Sequence, residues 1–136
     1  MFKLFRGKTK VVYLPVTTST ALTAGDLLTF TSGKLVAATS ATAASAIIGV
    51  NVKTIASTDS DYATDRLIPV EIPVERFTAW EADVTSGLVV GDIGKEVDLT
   101  DAATVNRAAT SVGVVMPIAV KSTTKGIFRI KFTGSY

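Results

Sequence analysis

The feature that most constrains this fold is the spacing of the apolar runs, which are short, rich in β-branched residues and separated by turns. Such runs occur at 11–16, 27–31, 35–37 and 47–52. The run at 127–132 alternates apolar and charged residues with a period of two, which is the repeat of a strand. Branched side chains pack well on a strand and lose rotamer freedom in a helix. The pattern therefore predicts an all-β chain.

The second half of the chain resembles the first in the order of its turns. Three glycine-containing pairs recur in the same order: Gly25-Asp26, Gly33-Lys34 and Gly49-Val50, then Gly91-Asp92, Gly94-Lys95 and Gly113-Val114. This order predicts an internal repeat over 22–74 and 88–132, although common Gly-Asp turns could produce the similarity by chance. Neither unit alone has enough apolar face to be stable, so the two are expected to pair into one barrel or sandwich.

The chain opens with a basic and apolar segment. Residues 1–10 contain four basic residues and no acidic residue, and apolar residues alternate with the basic ones. The basic residues are Lys3, Arg6, Lys8 and Lys10, and the apolar residues between and before them include Phe2, Leu4 and Phe5. We expect residues 1–10 to form an extended N-terminal arm and residues 11–136 to form a single β domain; the alternative is an N-terminal strand of that domain. An arm of this kind can bind a neighbouring sheet or groove. Removing residues 2–6 is then expected to leave the melting temperature nearly unchanged.

The residue types that most catalytic and metal sites need are missing. The sequence has no histidine and no cysteine, which removes the commonest general base and the commonest zinc ligands. Asp59, Asp61 and Asp65 fall in one loop, but a calcium loop counted from Asp59 would have Thr64 and Val70 where glycine and glutamate are required. No enzyme activity, no metal and no cofactor is predicted.

Trp80 is the only tryptophan, and it stands among the acidic residues Glu71, Glu75, Glu81 and Asp83. A large aromatic side chain serves most often as a packing or interface anchor. We interpret Trp80 in this way first and as a sugar-binding residue second. The net charge of +2 gives no general nucleic-acid footprint, and no apolar run is long enough for a membrane helix.

Three segments together resemble the small decoration, or cement, proteins of tailed-bacteriophage capsids: 22–30 with its Gly-Asp turn, 33–36, and the alanine-rich stretch that ends in Ile48-Gly49-Val50. The resemblance covers about half of the chain, or most of it if the repeat is real. It implies a compact β-barrel or β-tulip-like fold and a homotrimer bound to the major capsid protein. It also implies a product made in the host cytoplasm and located on the outer capsid surface of the virion.

In such a protein the arm residues Phe2, Lys3, Leu4, Phe5 and Arg6 would contact the capsid, clamping neighbouring capsid subunits together. Two alternatives remain open. A fibre-base or receptor-binding domain of the virion would use Trp80 and the loop 56–66. A nucleic-acid-binding β-barrel would rely on the basic N-terminus, but the alternation over 128–132 places Phe128 and Phe132 on the face opposite to Arg129 and Lys131.

Overall fold

A computed structural model describes residues 1–85 and 87–132, and these residues form eleven strands with two short 3₁₀ turns, at Ala44–Ala46 and Val90–Asp92. The all-β prediction is confirmed. In chain order the strands are β1 (Lys3–Arg6), β2 (Thr9–Pro15), β3 (Leu27–Thr31), β4 (Lys34–Ala37), β5 (Gly49–Asn51), β6 (Leu67–Pro73), β7 (Ala79–Val84), β8 (Asp98–Asp101), β9 (Thr104–Asn106), β10 (Val115–Ser122) and β11 (Lys125–Ile130).

The strands form two sheets that follow one another along the chain. The first has the order β2-β6-β5-β3-β4, and the second has the order β10-β11-β7-β9-β8 with β1 paired to β7. All ladders are antiparallel except the one between β7 and β9. Short strands joined by tight turns are what the broken apolar runs of the sequence predict.

The two sheets have the same order of neighbouring strands when the single bridges between their edge strands are counted. In the first sheet a parallel bridge between Val16 and Leu35 joins the ends of β2 and β4. In the second sheet an antiparallel bridge between Val97 and Val115 joins β8 to β10. With these bridges included, β2, β6, β5, β3 and β4 correspond in neighbour and direction to β7, β11, β10, β8 and β9. The two halves of the chain therefore have the same topology.

The Gly-Asp turn is built identically in both halves. Asp26 accepts the backbone N–H of Thr23 at 2.8 Å, and Asp92 accepts that of Val89 at 3.0 Å. Each aspartate side chain thus closes a turn onto the residue three positions before it, which is the usual role of aspartate in a turn. The side chain of Asp92 is further held by two hydrogen bonds from Arg107, each 2.9 Å long.

The other glycine pairs of the sequence alignment do not correspond. Gly33 lies in the turn between β3 and β4, whereas Gly94 precedes β8 and belongs to a longer connection. Gly49 lies within β5, while Gly113 precedes β10 with a φ of +68°. The N–H of Gly113 donates to the buried carboxylate of Asp98 at 2.7 Å. Glycine recurs at these places for different reasons, because a tight turn and a close approach each favour it.

Two hydrophobic clusters fill the domain. The smaller one lies under the first sheet and includes Val16, Leu28 and Ile68. The larger one contains residues from both halves of the chain, among them Leu27, Val50, Trp80 and Phe128. Because one cluster takes side chains from both sheets, the two halves share a core and pack as a single unit.

A closed barrel is not found among the described residues. In each sheet the two edge strands are not paired in a continuous ladder, and only a single β-bridge connects them. The pattern of apolar residues predicts which segments form strands. Whether a sheet closes into a barrel depends on the tilt and stagger of its strands, which this pattern does not indicate. The all-β domain is therefore built from two open sheets, whereas the two units were expected to pair into one barrel or sandwich and the resemblance implies a β-barrel or β-tulip-like fold.

Candidate partner-binding surface

The first residues of the chain belong to the body of the domain and do not extend from it as an arm. Residues 3–6 form β1, which pairs with β7, and residues 9–15 form β2, which pairs with β6. The amino group of Met1 contacts the carboxylate of Asp83 at 3.1 Å and donates to the carbonyl of Ala103 at 2.8 Å. Backbone pairing outweighs the basic character of this segment because each strand adds hydrogen bonds and buries its apolar face.

Two of the five residues assigned to partner binding point into the domain. Phe2 is 2% exposed and lies in the larger core cluster, and Leu4 packs against that cluster opposite Trp80. The N–H of Phe2 donates to the carbonyl of Gly25 at 2.8 Å. The side chains of Phe2 and Leu4 therefore stabilise the fold and are not presented to a partner.

The other three, Lys3, Phe5 and Arg6, are exposed on β1. The side chain of Phe5 is 54% exposed and lies at an irregularity of the β1–β7 ladder, between Leu4 and Arg6. An extra residue at such a bulge redirects its side chain away from the regular alternation. This local geometry explains why Phe2 and Phe5, which share a residue type, have opposite environments.

Trp80 is fully buried, with 0% exposure. Its ring lies 6.2 Å from that of Phe132, and it stands opposite Phe128 in the β7–β11 ladder. Its indole Nε1 has no acceptor among the residues that the structure describes. Trp80 is thus a packing residue of the core, and it cannot present its ring to a sugar or to a partner.

The exposed end of β1 continues onto the turn that precedes β7. Arg6 stands opposite Ala79, and Phe77, two residues earlier, is 67% exposed. The guanidinium of Arg129 lies 5.1 Å from the centre of the Phe77 ring and donates to the carbonyl of Arg76 at 3.2 Å. We call this region the Phe5–Phe77 surface, and it consists of Phe5, Arg6, Lys8, Arg76, Phe77 and Arg129.

Backbone contacts hold the segments of this surface together. The carbonyl of Lys8 accepts the N–H of Val74 at 2.9 Å. Gly7 has a φ of +107°, and a Cβ added there would lie 2.8 Å from the Cα of Thr78. Only glycine permits both this conformation and this close approach. The loop between β1 and β2 is therefore pressed against the turn before β7.

The cations of the Phe5–Phe77 surface have no ion-pair partner within the described part of the chain. Nearby acidic residues already form ion pairs with lysines: Glu81 contacts Lys121 at 2.6 Å, and Asp83 contacts Lys125 at 3.5 Å. The hydrogen bond from Lys121 holds the pKa of Glu81 below its usual value. One acid, Glu75, lies in the same turn as Phe77. The surface as a whole is positively charged.

Exposed aromatic rings beside unpaired arginines favour binding of an acidic, partly apolar surface. An aromatic ring contributes buried area, while arginine binds carboxylates with two parallel hydrogen bonds. From the sequence, Phe5 and Arg6 were assigned to partner binding and Arg129 was considered only for a nucleic-acid-binding face, whereas Arg76 and Phe77 were missed. The adjacent pair Arg76-Phe77 resembles Phe5-Arg6 in composition, but nothing in the sequence indicates that strand pairing brings the two pairs together.

The aspartates considered for a calcium site have partners within the protein. Asp61 pairs with Arg66, and Asp65 pairs with Lys34 at 2.6 Å. Asp59 accepts the N–H of Ala56 at 3.0 Å. Across the described residues no group of three or more acidic, histidine or cysteine side chains is arranged to hold a metal ion, and no helix is long and apolar enough to span a membrane.

No family model matches the sequence, and a search of the curated proteins finds no match to it. The geometry of the surface is therefore the ground on which a function can be argued.

Proposed function

We propose that this chain is a structural virion protein that binds the outside of a phage capsid through the Phe5–Phe77 surface and stabilises the shell by clamping neighbouring subunits of the major capsid protein. The observation that carries the proposal is the cluster of unpaired cations and exposed aromatic rings on strands that share one core. The resemblance of residues 22–50 to capsid decoration proteins supplies the identity of the partner. The homotrimer and the virion location that it implies stay predictions.

A rigid sheet surface suits a clamp because the binding residues are held in place before contact. Less side-chain and backbone freedom is then lost on binding, which leaves more of the interaction energy as affinity. In the Phe5–Phe77 surface the contacts of Gly7 with Thr78 and of Arg129 with Phe77 provide this order. A shell protein also multiplies weak contacts by avidity, so each one can be modest.

The receptor-binding alternative loses its main support, because it relied on Trp80, whose side chain is fully buried. A nucleic-acid ligand is the stronger competitor, since Phe5, Phe77 and Arg129 could stack on bases. The two readings differ in salt dependence. Single-stranded nucleic acid held by four cations should lose on the order of 50-fold in affinity over a fourfold rise in salt. An aromatic protein contact should lose less than about tenfold.

The test is co-sedimentation of the purified protein with empty shells assembled from the major capsid protein of the phage that encodes it. We expect saturable binding and a rise in the temperature at which the shells disassemble. The double change Phe5→Ala with Phe77→Ala should weaken binding at least about tenfold, because removing an aromatic hot spot from an interface costs roughly 2 kcal/mol or more. Arg129→Glu should do the same.

Lys53→Glu is the matched control, since Lys53 is exposed, belongs to none of the observed ion pairs and lies outside the surface. It should bind shells like the unaltered protein. Absence of binding to the shells, or equal binding by the double variant, would overturn the proposal. Binding to a mixed-sequence single-stranded oligonucleotide with the steep salt dependence given above would support the nucleic-acid reading in its place.

A further inference from the structure

The outer edge of β2 is unpaired over most of its length. β2 pairs with β6 from Thr9 to Pro15, and its other side meets β4 through the single bridge between Val16 and Leu35. No further strand within residues 1–85 and 87–132 lies along that edge. β2 is seven residues long, which is longer than a typical strand, and its free edge presents a row of backbone donors and acceptors.

Hydrogen bonds to neighbouring strands identify which backbone groups point to the free edge. In an antiparallel ladder successive residues bond to the two sides in turn. The even positions of β2 face β6, because the carbonyl of Lys8 accepts the N–H of Val74 and the N–H of Val16 donates to the carbonyl of Arg66. The odd positions face outward, as the donation from Thr17 to the carbonyl of Leu35 shows.

Proline on β6 fits the same alternation. Pro69 stands opposite Tyr13 and has no N–H to donate, and its carbonyl accepts the N–H of Val52 on the side away from β2. The N–H and C=O groups of Thr9, Val11 and Tyr13 therefore point outward at the free edge. Pro15 ends this row, because it lacks the donor that the next odd position would supply.

Most side chains beside this edge are apolar and exposed, and the charged one on the same face is Glu71, which stands opposite Val11 and accepts a hydrogen bond from the Thr9 hydroxyl at 2.6 Å. Val11, Tyr13 and Leu67 are 51%, 65% and 60% exposed, and register places them on the same outer face. The corresponding strands of the second sheet, β7 and β11, carry charged residues on that face, including Glu81 and Lys125 in contact at 3.7 Å. The face beside the free edge of β2 thus carries fewer charges than the corresponding face of β7 and β11, and exposed apolar side chains grouped in this way are typical of an interface.

We propose that two copies of this chain associate through β2, antiparallel about a twofold axis at Val11, so that the first sheet continues from one copy into the other. Val11 would pair with Val11 of the partner subunit, and Thr9 with Tyr13 of the partner subunit. A second copy is the fitting occupant because an edge strand paired antiparallel with its own copy is self-complementary, and the outward-facing row Thr9, Val11 and Tyr13 has no charge to repel itself.

Lysine lies in the same strand and makes the association depend on salt. Lys10 is exposed, and the pairing sets it opposite Val12 of the partner subunit, near a second Lys10. Repulsion between these two charges opposes association, and added salt screens it. The dimer should therefore become tighter as ionic strength rises, opposite to the effect of salt on contacts between the Phe5–Phe77 surface and an acidic partner.

The test is the mass of the purified protein in solution by sedimentation velocity, up to about 1 mM. We expect a concentration-dependent rise from 14.2 kDa to twice that mass. In the dimer the amide protons of Thr9, Val11 and Tyr13 should exchange more slowly as concentration rises. The β2 dimer is the alternative to the homotrimer that the capsid resemblance implies, so a protein that forms a stable trimer, or that stays monomeric over this range, would overturn the proposal.

Val11→Lys sets two like charges against each other at the twofold axis and should weaken the dimer at least about tenfold. Val90→Lys is the matched control, since Val90 is 73% exposed and lies away from β2, and it should dimerise like the unaltered protein. Equal dimerisation of both variants would exclude β2 as the interface. Because Val11 lies outside the Phe5–Phe77 surface, shell binding by a Val11→Lys monomer separates failure of the dimer from failure of the capsid proposal.

Discussion

Replacing Phe2 by alanine tests whether the start of the chain is core or arm. Phe2 is 2% exposed and packs in the cluster that joins the two sheets, whereas Phe5, three residues later, is 54% exposed. Truncation of a buried phenylalanine to alanine costs about 3–5 kcal/mol through lost burial and the cavity left behind. For a chain of this length such a loss lowers the melting temperature by roughly 10–15 °C.

Phe5→Ala is the matched control, and its expected effect on the free energy of unfolding is within about 0.5 kcal/mol because it removes an exposed side chain. Urea unfolding followed by circular dichroism gives both values, with the slope of the transition compared to establish that the folded states are equally compact. A loss below about 1 kcal/mol for Phe2→Ala would refute the placement of Phe2 in the core. It would restore the separate arm that the sequence suggested.

Two further predictions concern the turns that join the strands. Arg107→Ala should cost about 2 kcal/mol near neutral pH, less than a fully buried pair because Arg107 is 33% exposed while its partner Asp92 is 2% exposed. The hydrogen bonds from Arg107 lower the pKa of Asp92 from 3.8 to about 2. The stability that Asp92 contributes is therefore present above pH 3.8 and is lost as the pH falls through 2. In the Arg107→Ala variant the free energy of unfolding should change less between these two pH values than in the unaltered protein. Gly7→Ala should cost roughly 1–3 kcal/mol because of its φ of +107° and its contact with Thr78, whereas Gly91→Ala, which has open space, should change thermal stability by less than about 0.5 kcal/mol.

Local pattern was sufficient to predict that the chain is all-β and where several strands lie. The alternation at 127–132 appears in β11, and the Ser32-Gly33 step forms the turn between β3 and β4. These features depend on neighbours within a few residues, since period-two alternation and turn chemistry act locally. The sequence likewise indicated two similar halves. It aligned Gly94 with Gly33, however, because the presence of a glycine does not indicate which two strands a turn connects.

The placement of individual side chains was decided by tertiary structure. Phe2 and Phe5 are chemically identical and close in sequence, and only the pairing of β1 with β7 and its bulge place one in the core and the other at the surface. Trp80 was assigned to either a core or an interface, and its burial in the cluster formed by both sheets selected the core. Phe77 and Arg129 are 52 residues apart in sequence and meet because β11 returns beside β7.

The sequence by itself thus determined the class of structure, because strand and turn preferences are set by each residue and its nearest neighbours. Tertiary structure determined the candidate surface and the free edge of β2, because both depend on which strands lie side by side. Contacts across long stretches of chain form only when the whole core assembles, and the same residues in another strand order would leave a different surface exposed. The two sheets share one topology, and they expose different surfaces because the side chains on their corresponding strands differ, with Val11 and Tyr13 on β2 and Glu81 and Asp83 on β7.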